Sequence, residues 1–259
     1  KTIQVKVTGS KTGFTSVTKA SKATVKVKAF EVVILDGNLE SPNYSSTPSS
    51  QKTAASITAR AEAVMKAGAS LMTLQETPGS VVSAILAEAK SVTGHEYEVA
   101  SHSDQAVIWD SSIWQRSGDA VVFNLSSAKG GLVIELTHIA SGKTIRVGSV
   151  HMPTLKSKGQ PNGYANDSAR VKDIKNIAGQ AAGSLAVMGG DFNTPAHRAA
   201  IVGLGWTAAL SASTDTFDDK GTQAIDGVFA KGLAFNGTKV VDPGKASDHK
   251  WITSTITLK

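Results

Sequence analysis

Val187-Met188-Gly189-Gly190-Asp191-Phe192-Asn193-Thr194-Pro195 decides how the rest of the chain is read. Leu185 to Met188 has the apolar run of a buried strand. The glycine pair after it frees the backbone to turn sharply and to approach a ligand closely. Asp191 and Asn193 then fall just past the carboxyl end of a core strand, where layered α/β proteins usually bind ligands. The alternative is a tight turn whose Asp and Asn cap a helix beginning near Thr194. The stretch alone does not separate the two, so the flanking sequence has to.

Upstream, Phe30 to Leu35 is an apolar run broken only by Glu31, as in a strand buried on both faces, and it ends in Asp36-Gly37-Asn38-Leu39-Glu40. Ser41 to Ser50 reads as a polar loop, too polar for core. Gln51 to Ala67 is expected as a helix stopped by Gly68, because Ala55, Ile57, Ala59, Ala61, Val64 and Met65 give it a mostly apolar face. Ser70 to Leu74 is a second core strand, running into Gln75-Glu76-Thr77-Pro78, and Val81 to Lys90 a second helix. The next part changes character. His95 to Ala100, Gln105 to Trp109, Ala120 to Leu125, Leu132 to His138 and Thr144 to Val150 read as one antiparallel meander ending at His151-Met152-Pro153. After a polar loop from Thr154 to Asn166 comes a helix from Asp167 to Ala182, then the opening stretch, then a short helix from Pro195 to Val202. Strands at Trp206 to Leu210, Ala224 to Ala230, Leu233 to Val241 and Trp251 to Leu258 close the chain.

The ends of the expected core strands therefore carry Asn38, Glu76, His151, Asp191 with Asn193, Asp226, and Asp248 with His249. Each has an ordinary explanation as a turn residue, a cap or a satisfied histidine. Their shared placement at strand ends points instead to one pocket rich in carboxylates and amides, with two histidines. Oxygen donors of this kind suit a hard divalent cation, magnesium first, with manganese or calcium also suited. Two histidines without thiolates argue against a structural zinc site. A cation held by carboxylates can neutralise a phosphate, and a histidine–carboxylate pair can activate water or protonate a leaving oxygen. The chemistry expected is metal-assisted phosphoester hydrolysis.

Composition bounds this reading. The chain has 259 residues, 41% of them hydrophobic, enough for one large domain with an appendage. No apolar run reaches the roughly 18 residues of a membrane span. Lys1-Thr2-Ile3-Gln4 does not read as a signal peptide, so any such segment is expected to have been removed or never present. Cysteine is absent, which excludes disulfides, thiolate ligands and a cysteine nucleophile. The formal net charge is +6, yet residues 1–30 hold seven lysines and no acid. Removing those seven from the 27 basic residues leaves 20 against 21 acids, so the body is near neutral. The arm could hold phosphates non-specifically, or present alternating lysines to solvent on exposed strands. Ile3 to Val7 and Thr24 to Lys28 both alternate with period two and are expected as its strands.

Two resemblances follow from these residues. The run from Val7 to Lys19 resembles the end of the immunoglobulin-like repeats of bacterial surface and secreted proteins, over about residues 1–28. It implies a piece of a longer, exported, multidomain bacterial protein. From about Phe30 to Leu258, Asn38, Leu74-Gln75-Glu76, Val150-His151, Gly190-Asp191-Phe192-Asn193, Ile225-Asp226 and Ser247-Asp248-His249 resemble, in order and spelling, the endonuclease/exonuclease/phosphatase superfamily. That resemblance implies a four-layer α/β/β/α sandwich with two packed mixed sheets over residues 29–259, after a short β arm. It implies Glu76 as principal metal ligand, with Asn38 and Asp248 as further ligands. Asp191 and Asn193 would contact the attacking water and the phosphate. His249 held by Asp226 would be one catalytic histidine, and His151 the other and a candidate general acid. Departures include Asp36-Gly37 before Asn38. Asp104 is the nearest carboxylate to pair with His151, and Lys129 stands where an arginine often grips phosphate. No long apolar hairpin with paired aromatics marks a bilayer-gripping insertion, and Trp109, Trp114, Trp206 and Trp251 are expected in core or rim. The expected function is an exported, metal-dependent phosphodiesterase, a nuclease acting on DNA as a monomeric domain. A phospholipid or inositol-phosphate phosphatase and an inactive surface-binding module are the alternatives.

Overall fold

The computed structural model of the chain describes residues 4–23, 29–44, 46–125, 129–156, 163–217 and 223–258. It divides into two compact units, an arm running to Phe30 and a body spanning Glu31–Leu258. In the arm, β1 (Lys6–Gly9) pairs antiparallel with β2 (Val17–Ala20). Thus β2 lies between the two stretches expected as strands. The expected strand at Thr24 to Lys28 lies outside the described residues. Lys6, Lys11, Lys19 and Lys22 are all exposed.

The body follows its hydrophobic pattern. β3 (Phe30–Asn38) is followed by α1 (Ala54–Lys66), β4 (Leu71–Gln75) and α2 (Gly79–Thr93). The Thr53 side chain caps α1 by accepting from Ser56 N at 3.2 Å, and Gly94, at φ 74°, ends α2 in the left-handed conformation that glycine adopts without strain. β5 (Tyr97–His102) and β6 (Gln105–Asp110) complete the sheet that holds β3 and β4. β7 (Trp114–Arg116), β8 (Val121–Asn124), β9 (Gly130–His138) and β10 (Lys143–His151) belong to the other sheet. The single meander expected from the sequence is therefore two pieces. β6 pairs with β4, and the chain crosses to the facing sheet after Asp110. Alternation marks a strand but not the sheet it joins.

α3 (Asp167–Ala181), capped by Asn166, leads to β11 (Ala186–Asp191) and the short α4 (His197–Val202). β12 (Thr207–Ala208), β13 (Asp226–Lys231), β14 (Ala234–Val241) and β15 (Trp251–Leu258) follow. One sheet runs β14-β15-β3-β4-β6-β5 and the other β12-β13-β11-β10-β9-β7, with β8 beside β9. Between them lies a cluster including Ile34, Trp109, Ile134, Val187 and Ile252. Leu35, Val64 and Ile85 pack α1 and α2 on one outer face, and Ile177, Met188 and Ile201 pack α3 and α4 on the other. Each such fully buried aliphatic side chain contributes about 1.5–3 kcal/mol of transfer free energy. The result is the expected four-layer α/β/β/α sandwich. All four tryptophans are buried. Among the described residues no helix is long and apolar enough to cross a membrane.

The opening stretch corrects its own reading. β11 does not turn at Gly189-Gly190 but runs through both to Asp191, paired with β10 on one side and β13 on the other. The glycines serve packing. A Cβ at Gly189 would land on Thr73 Oγ1 and 2.5 Å from Asp36 Oδ1, and one at Gly190 would strike the Val150 backbone. Nor do Asp191 and Asn193 cap the helix, which begins at His197 without a side-chain cap. Gly37 has a similar cause, since a Cβ there would lie 2.6 Å from the ring of Trp251.

Candidate active site

Strand register assembles the site. β10 and β11 run parallel with His151 opposite Asp191, and antiparallel β13 places Asp226 opposite Asp191 on the other side. Three chemistry-bearing residues thus stand side by side at one sheet edge. In the facing sheet Asn38 lies opposite Gln75, immediately before Glu76. Asn38 Nδ2 donates to Asp191 Oδ2 at 3.1 Å and so links the two edges.

Glu76, His151, Asp191, Asn193, Asp248 and His249 line one cleft of about 550 Å³, with Asn38 and Asp226 buried behind them. All eight residues singled out in the sequence are therefore brought together. Three residues around the cleft hold the left-handed backbone conformation that side chains rarely adopt, Glu40 at φ 49°, Glu76 at 56° and Asn193 at 51°. Asn193 is fixed there by its own contacts. Its N–H donates to Asp191 Oδ1 at 2.9 Å, and its amide group to Met152 O at 2.7 Å and Asp191 Oδ2 at 3.1 Å.

Two histidine–aspartate pairs flank Asp191. His249 Nδ1–H donates to both Asp226 oxygens, at 3.0 and 3.1 Å, and its Nε2 lies 3.9 Å from Asp191 Oδ2. Burial opposes charge on this ring, but Asp226, Asp191 and Asp248 outweigh burial and push its pKa up to about 10. Burial raises Asp226, with the Asp191 carboxylate adding to it and His249 opposing. On the other side His151 Nδ1 lies 3.0 Å from Asp104 Oδ2, and its Nε2 3.4 Å from Asp191 Oδ2. Lys129 Nζ sits 2.6 Å from that Nε2 and 3.8 Å from Glu76 Oε1. Lys129 Nζ also lies 3.2 Å from Nδ1, so the ammonium sits against the ring rather than along either nitrogen's lone pair, while Nδ1 pairs with Asp104 and Nε2 faces Asp191 and, at 3.8 Å, Glu76 Oε1. Burial alone would raise Asp104. His151, Lys129 and the Tyr44 hydroxyl, which donates at 2.8 Å, hold it well below the usual carboxylate range. Burial likewise opposes the charge of Asp191, and His249, His151 and Lys129 overcome it, so this carboxyl stays ionised.

The remaining wall is acidic. Glu40 is raised first by burial and then by the charges of Asp248 and Glu76, with Arg60 opposing, and Asp248 is raised by burial, with His249 opposing and Glu76 and Asp191 adding. Glu76 Oε2 accepts the Ser41 N–H at 2.9 Å. Crowded carboxylates with no thiolate among them suit a hard divalent cation, so this donor set fits magnesium, with manganese or calcium also accommodated. Glu76, Asp248 and Glu40 would hold it. Asn38 Oδ1 already accepts the Glu40 N–H at 2.9 Å and keeps one lone pair for such a role. Among the described residues Asp191, Asp226 and His249 are the acidic and histidine group whose ligand atoms lie within 4.8 Å of one another, but both Asp226 oxygens are engaged by His249.

Sequence reasoning missed Glu40, Tyr44 and Phe217, all of which line the cleft. The Phe217 ring packs on His249 with centroids 4.6 Å apart, and Lys129 lies over the Tyr44 ring at 5.4 Å. Glu40 follows Asn38 by two residues, which was the available signal. Tyr44 sits in the loop read as too polar for core, yet Ser41 and Thr47 there are buried.

No protein-family model and no curated protein matches the sequence. Solved structures do match in three dimensions. An endonuclease/exonuclease/phosphatase from Bacteroides vulgatus superposes with TM-score 0.70 at 15% identity, covering 89% of this chain and 100% of that one. D. rerio TDP2 complexed with a single-strand DNA product matches with TM-score 0.65 at 14% identity, over 88% of this chain and 99% of the other. A Bacteroides thetaiotaomicron mannosyl-6-phosphatase gives TM-score 0.65 at 14% identity, over 88% and 100%. At these identities the likeness establishes the fold, which is that of the endonuclease/exonuclease/phosphatase structures.

Proposed function

We propose that the protein is a divalent-metal-dependent phosphoester hydrolase of the endonuclease/exonuclease/phosphatase superfamily. The observation that carries this is two histidine–aspartate pairs converging on one ionised Asp191, opposite a carboxylate wall suited to a hard cation. A bound cation would supply positive charge to the phosphate oxygens. The chain's own residues do the rest. Asp191, held ionised, is a weak base, so it accepts a hydrogen bond from the attacking water and aims it, with Asn193 fixing the carboxylate. As the water oxygen bonds to phosphorus, the bond to the leaving oxygen breaks. His249 carries a proton at neutral pH and sits where it can pass it to that oxygen. His151, paired with Asp104, takes the proton lost by the water. The proposal thus moves the acid role from His151 to His249, because Asp226, Asp191 and Asp248 hold the proton on His249, whereas an ammonium stands beside His151.

The substrate in this reading is a nucleic acid strand, most simply DNA. Tyr44 and Phe217 at the cleft give flat faces on which bases can stack. The structurally similar D. rerio TDP2 with its single-strand DNA product supports this choice. Export from a bacterial cell, as a monomeric domain of a longer protein, belongs to the same proposal and rests on the arm's resemblance alone. A phosphomonoester substrate is the second reading, favoured by the bounded cleft and the mannosyl-6-phosphatase match. The test is a panel of single-stranded DNA, bis(p-nitrophenyl) phosphate, a sugar phosphate and an inositol phosphate, with magnesium, manganese or chelator. Metal-dependent cleavage of the diesters supports the nuclease reading, and turnover of the sugar phosphate alone replaces it with the second. No turnover of any substrate with any metal overturns the enzyme proposal.

A further inference from the structure

Arg60, on the inner face of α1, is only 1% exposed. Its direct partners are carbonyl, amide and hydroxyl oxygens. Nε donates to Leu39 O at 2.9 Å and to Ala246 O at 3.0 Å. Nη2 donates to Glu40 O at 3.1 Å and to Gln51 Oε1 at 3.2 Å, and Nη1 to Gln51 O at 2.8 Å. Leu39 and Glu40 follow Asn38, whereas Ala246 precedes Ser247-Asp248-His249. One guanidinium therefore ties together the two segments that carry the acidic wall, which lie more than 200 positions apart in the chain. The seam is reinforced from the other side, where Ser247 Oγ and Trp251 Nε1 both donate to Asn38 O, at 2.8 and 3.0 Å. Three successive carbonyls, from Asn38 to Glu40, are thus fixed in space, and Glu40 is held in its left-handed conformation.

We propose that Arg60 is the positioning residue of the cation site: it sets the spacing of Glu40 and Asp248 so that the wall binds a divalent ion. This rests on the metal-site reading above. The planar fork of five N–H donors is what the task needs, since a lysine could reach only some of these acceptors. Burying an arginine whose direct partners are mostly carbonyls is costly, and desolvation lowers its pKa. Six hydrogen-bond acceptors offset that cost, and the same bonds hold the joined segments in place. A second buried arginine supplies an internal contrast. Arg170, on α3, donates to Asn193 O, on the water side of the site.

The experiment is calorimetric titration of the metal-stripped full chain with Mg²⁺ and Mn²⁺, without substrate, for wild type, Arg60→Lys, Arg60→Met, Arg60→Ala, Arg170→Met and Arg170→Lys. Circular dichroism confirms folding, and turnover is measured in parallel. Arg60→Met should weaken metal binding at least about tenfold, Arg60→Lys less, with methylguanidinium partly restoring Arg60→Ala. Arg170→Met should change metal affinity less than about twofold while lowering kcat. Should Arg60→Met not fold, the comparison of Arg60→Lys with Arg170→Lys carries the same test. Wild-type metal affinity in a folded Arg60 variant would overturn the inference, as would equal losses from the Arg60 and Arg170 substitutions. A wild-type chain that binds neither ion would overturn the metal-site reading and this inference with it.

Discussion

His151 and His249 are alike in their aspartate partners and differ in the charges that surround them. Both are buried, both bond an aspartate through Nδ1, and both face the same oxygen of Asp191, at 3.4 and 3.9 Å. Around His249 the neighbours are carboxylates, and its pKa is pushed up to about 10. Around His151 the carboxylates of Asp104, Asp191 and Glu76 are joined by the Lys129 ammonium, 2.6 Å from Nε2 and 3.2 Å from Nδ1. A histidine–aspartate motif does not fix a role, because the second ring of charges selects acid or base.

The largest expected effect tests that division. His249→Asn should lower kcat by about 10³-fold with KM little changed, and His151→Asn by about 10²-fold, both within the range for one proton-transfer group. Equal losses, with equal pH profiles, would show the two pairs to be interchangeable. Wild-type kcat should hold through neutral pH and fall as pH rises toward about 10, where His249 gives up its proton. Asp226→Asn removes the strongest attraction for that proton, so the alkaline fall should begin at lower pH.

A third histidine sharpens the contrast. His197 is as deeply buried, stacked on Phe192 with centroids 4.5 Å apart, but among the described residues it has no ion pair, and Asp191 only partly offsets its burial. Burial lowers its pKa to about 4, with Arg198 also working against the charge and the Thr194 carbonyl opposing. Between about 6.5, the unfolded value, and about 4, the folded state holds fewer protons than the unfolded state, so stability falls as pH falls across that window. The proton affinity that the ring gives up on folding corresponds to a loss of about 3 kcal/mol across the window. Urea denaturation at pH 7 and pH 4 measures it. His197→Met should flatten the difference, and an unchanged slope would mean that His197 is not the group responsible.

The same contrast explains what the sequence could show. Strand ends were legible because Asn38, Glu76, His151, Asp191, Asp226 and His249 each follow or precede an apolar run, and register does bring His151, Asp191 and Asp226 abreast. The four layers were legible from helices alternating with core strands. Sheet membership was not, because β5 through β10 alternate alike whichever sheet they join. Gly189 and Gly190 misled because a glycine needed for close packing spells the same as one needed for a turn. Arg60 and Arg170 were invisible because a buried arginine bonded to carbonyls has no partner residue type to look for.

The smallest expected effect concerns the group that makes the pairs differ. Lys129 is partly exposed, with its ammonium between His151, Glu76 and Asp104 and over the ring of Tyr44. A charge-assisted contact to a phosphate oxygen is worth about 1.5 kcal/mol, so Lys129→Met should raise KM by about tenfold and leave kcat within about threefold. Lys129→Arg should restore KM, because its fork reaches the same oxygens. Ring nitrogen shifts from NMR should move more at His151 than at His249 on Lys129→Met, as an ammonium beside both His151 nitrogens requires. His151 shifts that do not move would break the comparison at its root, because Lys129 would then not be what separates the two histidines. A kcat that falls with KM unchanged would instead make Lys129 part of the chemical step, its charge felt in the transition state more than in substrate binding.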